Sequence, residues 1–408
     1  MSLPSRNTPR AGGQGLSNRA RRGKLAEGKR TSVRGLTDMW KDRRLLELFG
    51  IAHPILLAPM AGPGLAPLAI GVAEGGGLPA LPGALLTLPQ LEAEFLAVRA
   101  RHDGPLNLNF FCHQPAVVDA AREQAWRDRL APYFQELGLP PETPVPTSNR
   151  SPFDAEACAL VETLRPAVVS FHFGLPEAAL LARVKATGAR VIASATTVAE
   201  ARHLEAAGCD AIIAQGAEAG GHCGVFLTDD PVAAVASQPS TLALVPQVVD
   251  AVAVPVIAAG GIADGRGLVA ALALGAAGVQ IGTAFLHTPE ARLPAPHRAA
   301  LARAQDDQTA LTNLFTGRPA RGILNRLMRE QGPLNPAAPA FPLAGGALAP
   351  LRAASEPQGS GDFMSLWAGQ AFRLGRAMPA AALTRLIAAE AQALLRRLSP
   401  DASSQASS

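Results

Sequence analysis

Long hydrophobic runs, paired cysteines and a nucleotide-binding glycine fingerprint are all missing from this 408-residue sequence. Its apolar runs are broken by Gly, Pro or charge well short of a bilayer-spanning length, so no membrane-spanning helix is expected. The N-terminal region has no apolar stretch of the secretory kind. Four cysteines, Cys112, Cys158, Cys209 and Cys223, form no Cys-x-x-Cys pair and no metal-ligand spacing. Reduced thiols in a cytoplasmic protein follow, with no metal site. Nothing resembles an adenine-binding NAD(P)H domain. What is present is 48% apolar and 17% charged sequence, the composition of a globule with a sizeable core.

The net charge of +4 is unevenly spread. Residues 1–38 carry nine Lys or Arg against Glu27 and Asp38, so the remainder, with 28 basic and 31 acidic residues, is net −3. The basic character belongs to the extension, and the body offers no electrostatic case for nucleic acid. Residues 1–38 lack the apolar content to offset chain entropy and are expected to be a disordered extension upstream of a fold that opens at Met39. An organelle transit peptide or a nucleic-acid arm would share that composition.

From residue 54 onward, short apolar runs alternate with helical patterns. The runs are 54–60, 77–83, 105–111, 167–173, 190–196, 209–216, 254–261 and 278–285. Their continuous apolar character fits strands covered on both faces, as in parallel sheets. Helices are expected at 115–137, 176–188, 197–207 and 264–275. In the third, Thr197 caps, Val198, Ala201 and Leu204 face inward, and Gly208 stops the helix. Eight β–α units over this length predict an α/β fold of the (β/α)₈ TIM-barrel type, with a doubly wound open sheet as the competing architecture. Residues 39–305 would form the barrel and 306–398 a cap segment, irregular over 306–365. A closing helix near 381–398 would bury Leu383, Ile387, Ala391 and Leu394, with Arg385, Arg396 and Arg397 outside it. Residues 399–408 would be a disordered tail.

Active sites of such barrels form at the carboxyl ends of the strands, and the unusual residues gather there. Met60 ends the first run, Asn109 lies in the third and His172 in the fourth; Gln215 to His222 starts at the end of the sixth and runs on past it. Gly260 and Gly261 end the seventh run, and Gln280, Gly282 and Thr283 lie in the eighth. Glycine turns on adjacent strands let backbone N–H groups approach a phosphate, helped by a helix N-terminus near Asp264. His222 follows Ala219, Gly220 and Gly221, a loop that can lie flat against a planar ligand while the imidazole projects over it. His53, His102, His203, His287 and His297 are read as structural. His113 has no partners at zinc spacing, and Cys223 is read as a bystander.

At these residues the sequence resembles the nitronate monooxygenase family. The motifs are PILLAPMAG (54–62), PLNLNFFCH (105–113), AQGAEAGGHCG (214–224), VIAAGGIADG (256–265) and GVQIGTAF (278–285). LNFFCH, VSFHFG (169–174) and LWAGQ (366–370) look like the bacterial class I branch. The resemblance implies an FMN-dependent barrel that oxidises alkyl nitronates, such as propionate 3-nitronate, with O₂ through a flavin semiquinone. It implies FMN contacts from Met60, Asn109, Gln215, Gly220, Gly260, Gly261, Gln280, Gly282 and Thr283. His222 matches the family's active-site histidine, and His172 and Gln370 would line the substrate pocket. Two rivals share the barrel: a flavin-dependent NAD(P)H:quinone or enoyl-acyl-carrier-protein reductase, and a non-catalytic barrel holding a phosphorylated ligand. Oligomeric state is not legible.

Overall fold

The computed structural model describes residues 1–2, 40–140, 142–146 and 150–399. The expected disordered stretches 1–38 and 399–408 lie outside the described residues, apart from Met1, Ser2 and Ser399. Every described helix and strand belongs to the compact unit that begins at Asp42.

All eight apolar runs form strands. They are β1 (Ile55–Leu57), β2 (Ala80–Pro82), β3 (Asn107–Phe111), β4 (Val168–His172), β5 (Arg190–Ala195) and β6 (Ala211–Gln215), then β8 (Val256–Ala259) and β9 (Gly278–Ile281). A two-residue strand, β7 (Gly221–His222), lies between β6 and β8 in the chain and belongs to a separate sheet. Parallel pairing runs in the order β1-β9-β8-β6-β5-β4-β3-β2. The ring closes where Leu57 N–H donates to Leu78 O and Leu78 N–H donates to Ile55 O, each at 2.9 Å. Every residue of β1, β2, β6 and β8 is buried. Helices cover the outside of such a ring while facing strands fill its interior, which is why these runs read as continuously apolar.

The four expected helices appear as Ala120–Glu136, Ala178–Ala186, Val198–Ala206 and Gly265–Ala273. The first starts later than its pattern suggests because the Asp119 carboxylate accepts from the N–H groups of Ala121 and Arg122, fixing the start there. Thr197 caps as expected, accepting from Glu200 N–H at 3.1 Å. The inward face differs, however: Ala201 and Leu204 are buried, Val198 is half-buried, and Glu200 is buried. Its carboxylate can leave water because it accepts from Thr196 N–H (2.6 Å), Thr196 Oγ1 (2.7 Å), Phe226 N–H (2.6 Å) and Leu227 N–H (3.2 Å).

The segment expected to be irregular carries a hairpin, β10 (Thr309–Thr312) and β11 (Ala320–Ile323), and the helices Arg326–Gln331 and Gly345–Ser355. Strand β11 also pairs antiparallel with β7, setting Ala320 opposite His222 and Arg321 opposite Gly221. Trp126, fully buried, anchors the segment: it packs with Leu348, Leu351 and Phe363 and donates from Nε1 to Ala344 O at 3.2 Å. The closing helix spans Ala380–Leu398, with Leu383, Ile387 and Ala391 buried, Leu394 half-buried and the three arginines exposed. It crosses the helix Gly265–Ala273 so closely that a Cβ at Gly265 would lie 2.4 Å from Glu390 Cβ.

Candidate active site

A cavity of about 410 Å³ opens at the carboxyl ends of the barrel strands. Met60, Asn109, His172, Gln215, Gly220, His222, Gly260, Gly261, Gln280, Gly282 and Thr283 all line it. Gln370 does not: it is exposed, and its backbone N–H donates to Glu218 O at 3.0 Å. The neighbours Trp367 and Gly369 line the cavity instead. Gly220 carries that docking, since a Cβ there would lie 2.4 Å from Gly369 N.

On one side the chain turns with its backbone bare. Gly260 (φ +114°) and Gly261 (φ +68°) adopt conformations that disfavour a side chain. The end of the helix Gly265–Ala273 is not an open anion site, contrary to the sequence reading. Its first N–H groups are taken by carboxylates: Gly265 donates to Glu390 (3.2 Å), and Arg266 (2.9 Å) and Gly267 (3.4 Å) donate to Asp264. Thr283 Oγ1 accepts from Gly369 N–H at 2.9 Å. Gln280 Oε1 is buried with no hydrogen-bond partner among the described residues, an acceptor left for a ligand to satisfy. Asn109 Nδ2 donates to Ser170 O (3.2 Å) and Ser170 Oγ (3.0 Å), which fixes the amide at the cavity wall.

The opposite side is built around His222. The Gln215 amide is spent on holding this loop, donating to His222 O at 3.0 Å and accepting from Gly224 N–H at 2.7 Å. His172 Nε2 donates to the same carbonyl at 3.2 Å, and its Nδ1 meets Ser194 Oγ. The His172 ring therefore carries its proton on Nε2, because a carbonyl can only accept. The His222 ring sits among Phe111, Phe341, Trp367 and Phe173, with centroids 5.9, 5.5, 5.6 and 5.8 Å away. Its Nε2 lies 3.0 Å from Thr316 Oγ1.

Burial pushes the imidazole of His222 well below the ordinary histidine range, and Arg150, His172, Arg318 and His113 push it further. His172 and His113 are each lowered to about 4, again chiefly by burial. His222 is therefore neutral at physiological pH, and among the described residues no carboxylate hydrogen-bonds its ring. The charged residues on the cavity wall are Arg150, Arg292, Arg352 and Glu218. Glu218 is engaged by Thr241, which donates from N–H (2.8 Å) and Oγ1 (2.9 Å). The field inside thus favours an anion. Cys223 stands apart from this chemistry: its buried thiol is pushed up to about 11 and donates to Gln238 Oε1 at 3.1 Å. Among the described residues no group of three or more His, Cys, Asp or Glu could hold a metal ion, and no single helix is long and apolar enough to cross a membrane.

Two site residues had a signal in the sequence that the motif reading passed over. Ser170 and Ser194 are polar residues inside otherwise apolar strands, which in a barrel marks positions near a ligand or a buried hydrogen bond. Thr316 and Phe341 had none; tertiary contact alone brings them to His222.

The nitronate monooxygenase family model matches residues 42–390. A nitronate monooxygenase of Pseudomonas aeruginosa is 43% identical over 351 residues, covering 85% of this chain and 98% of the relative. Another, from Paraburkholderia phytofirmans, is 41% identical over 366 residues, covering 89% and 99%. Among solved structures, nitroalkane oxidase from Streptomyces ansochromogenes superposes with a TM-score of 0.79 at 38% identity, covering 87% of this chain and 100% of that one. FabK from Thermotoga maritima is more distant, with a TM-score of 0.65 at 27% identity, covering 87% and 97%. A (β/α)₈ barrel whose mouth carries an anion-favouring cavity, with a neutral histidine on one wall and bare glycine turns on the other, thus sits in a chain whose similarity runs nearly from end to end of these relatives, and the chain belongs to the nitronate monooxygenase family.

Proposed function

We propose that this protein is an FMN-dependent monooxygenase that oxidises alkyl nitronates, of the propionate 3-nitronate kind, with O₂. The observation that carries the reading is the pairing, in one cavity, of an orphaned acceptor and bare glycine turns with a neutral histidine in a cationic field. The first half fits FMN. Gln280 Oε1 lacks a donor, and a polar ring edge or ribityl hydroxyl would supply one. The Gly260–Gly261 turn, with Gly282 and Thr283 on the neighbouring strand end, would hold the phosphate through backbone N–H groups. Met60 and Asn109 would border the ring. Gly220 and Gln215 support the reading differently from expectation, since both are occupied in placing the His222 loop and its neighbours.

When bound, FMN supplies the electron acceptor, with O₂ the co-substrate. The chain's own residues do the rest. A nitronate is already deprotonated at carbon, so a strong base is unnecessary, and His222 is a weak one. Arg150 and Arg352 supply positive charge toward His222's side of the cavity, which offsets the cost of taking an anion from water. Phe111, Phe341 and Trp367 exclude water around the His222 ring, which strengthens every polar contact inside.

Steady-state O₂ consumption by the flavin-loaded protein tests this. Oxygen uptake that depends on an alkyl nitronate and is independent of NADH is expected. NADH oxidation without nitronate-dependent uptake would move the assignment to a flavin reductase. A protein that takes up no FMN would leave only a ligand-binding barrel.

A further inference from the structure

His222 has one ring nitrogen committed and one uncommitted. Nε2 meets Thr316 Oγ1 at 3.0 Å, while Nδ1 makes no hydrogen bond to any described residue. Thr316 lies in the connection between β10 and β11 and is only 1% exposed, so its hydroxyl is tied to protein partners. That hydroxyl has one proton and two acceptors in reach: His222 Nε2 at 3.0 Å and Arg318 O at 3.2 Å. Arg318 N–H donates to the same oxygen at 3.4 Å.

The cavity forces a choice between them. Burial and the surrounding cationic groups keep the His222 ring from carrying charge. A neutral ring can serve an anion in the cavity only as an N–H donor at Nδ1, which requires Nε2 to accept a proton from its own partner. Thr316 is the one described group placed to give it, and the contact to Nε2 is the shorter of the two. We propose that Thr316 is a positioning residue for the reaction: its hydroxyl donates to His222 Nε2, which holds the ring proton on Nδ1, where it hydrogen-bonds a nitronate oxygen. This rests on the nitronate reading above, and it gives the β10–β11 hairpin a role: β11 fixes the His222 backbone while the turn before it fixes the ring.

The test uses FMN-loaded protein labelled with ¹⁵N-histidine, with nitrite as an unreactive anionic probe. The His222 signals are assigned by their disappearance in His222→Asn. With nitrite bound, Nδ1 is expected at a protonated shift and Nε2 at an unprotonated one, both in the native protein and in Thr316→Ser. Thr316→Val removes the donor. It is expected to lose that pattern and to lower kcat/KM for an alkyl nitronate roughly ten- to a hundredfold, with Thr316→Ser restoring it to within about threefold. A protonated Nε2 in nitrite-bound native protein, or native kcat/KM in Thr316→Val, overturns the proposal. Should Thr316→Val fail to fold, the native and serine spectra still decide it. Native protein with a protonated Nδ1 but no nitronate oxidation would leave the Thr316 assignment standing and sink the functional reading instead.

Discussion

The His222 carbonyl takes one hydrogen bond from Gln215 and another from His172, so replacing either donor disturbs the loop before it touches the ring. Gln215→Leu leaves a carbonyl short of a donor and the Gly224 N–H without its acceptor. The carbonyl keeps its His172 donor, so the loss expected is about 1–3 kcal/mol for the Gly224 N–H left unpaired, read as a lower Tm and a fall in nitronate turnover. His222→Asn, by contrast, keeps the backbone clamp and the FMN side of the cavity. It should retain flavin and lose most nitronate oxidation; near-native turnover would remove His222 from the mechanism. Because the imidazole is held well below 6.5, the native pH–rate profile should show no His222 inflection between about pH 6 and 8. An inflection there that vanishes in His222→Asn would show a ring that titrates and contradict the neutral-donor account.

Strands buried on both faces announce themselves as unbroken apolar runs, which is why all eight barrel strands could be read from the sequence. The β10–β11 hairpin could not. Thr309–Thr312 and Ala320–Ile323 carry no clean alternation, and they become strands by pairing with each other and with Gly221–His222, almost a hundred residues earlier. Of the two carboxylates that close the helix at Gly265, Asp264 stands next to it in the sequence, but Glu390 was hidden because it arrives from the closing helix. Elements legible from local pattern and elements made by distant pairing should respond differently to change. In Gly282→Leu, a Cβ would lie 3.3 Å from Ala58 Cβ and 3.5 Å from Met60 Sδ, so Ala58 must give by a few tenths of an ångström, and the longer chain projects into the cavity. This variant should fold with a native circular dichroism spectrum and lose bound flavin; full flavin retention would count against the phosphate assignment. Trp126→Ala strips the anchor of the 306–365 segment and should cost about 3–5 kcal/mol by chemical denaturation. A cost below about 1 kcal/mol would mean that this cluster does not secure the segment.

Taken as a whole, the molecule buries neutral histidines and places arginines around them. His113, His172 and His297 are each lowered to about 4, chiefly by burial, and burial holds His222 well below the ordinary histidine range too. In the unfolded chain these groups bind protons near 6.5, so between roughly pH 6.5 and 4 the unfolded state holds more protons than the folded one. Stability from these sites is complete above pH 6.5 and is lost as the pH falls toward 4. Tm should therefore fall between about pH 6.5 and pH 5, and a flat or rising Tm over that range would mean that the histidines are already charged in the fold. The same cationic, carboxylate-poor surroundings underlie the central claim that this cavity holds FMN and delivers a nitronate to it. The most direct test is the visible spectrum of the purified, FMN-reconstituted protein before and after propionate 3-nitronate is added without oxygen. The account predicts bound-flavin bands that change on addition of the nitronate and recover when air is admitted. Bound flavin that ignores the nitronate yet bleaches with NADH would contradict it.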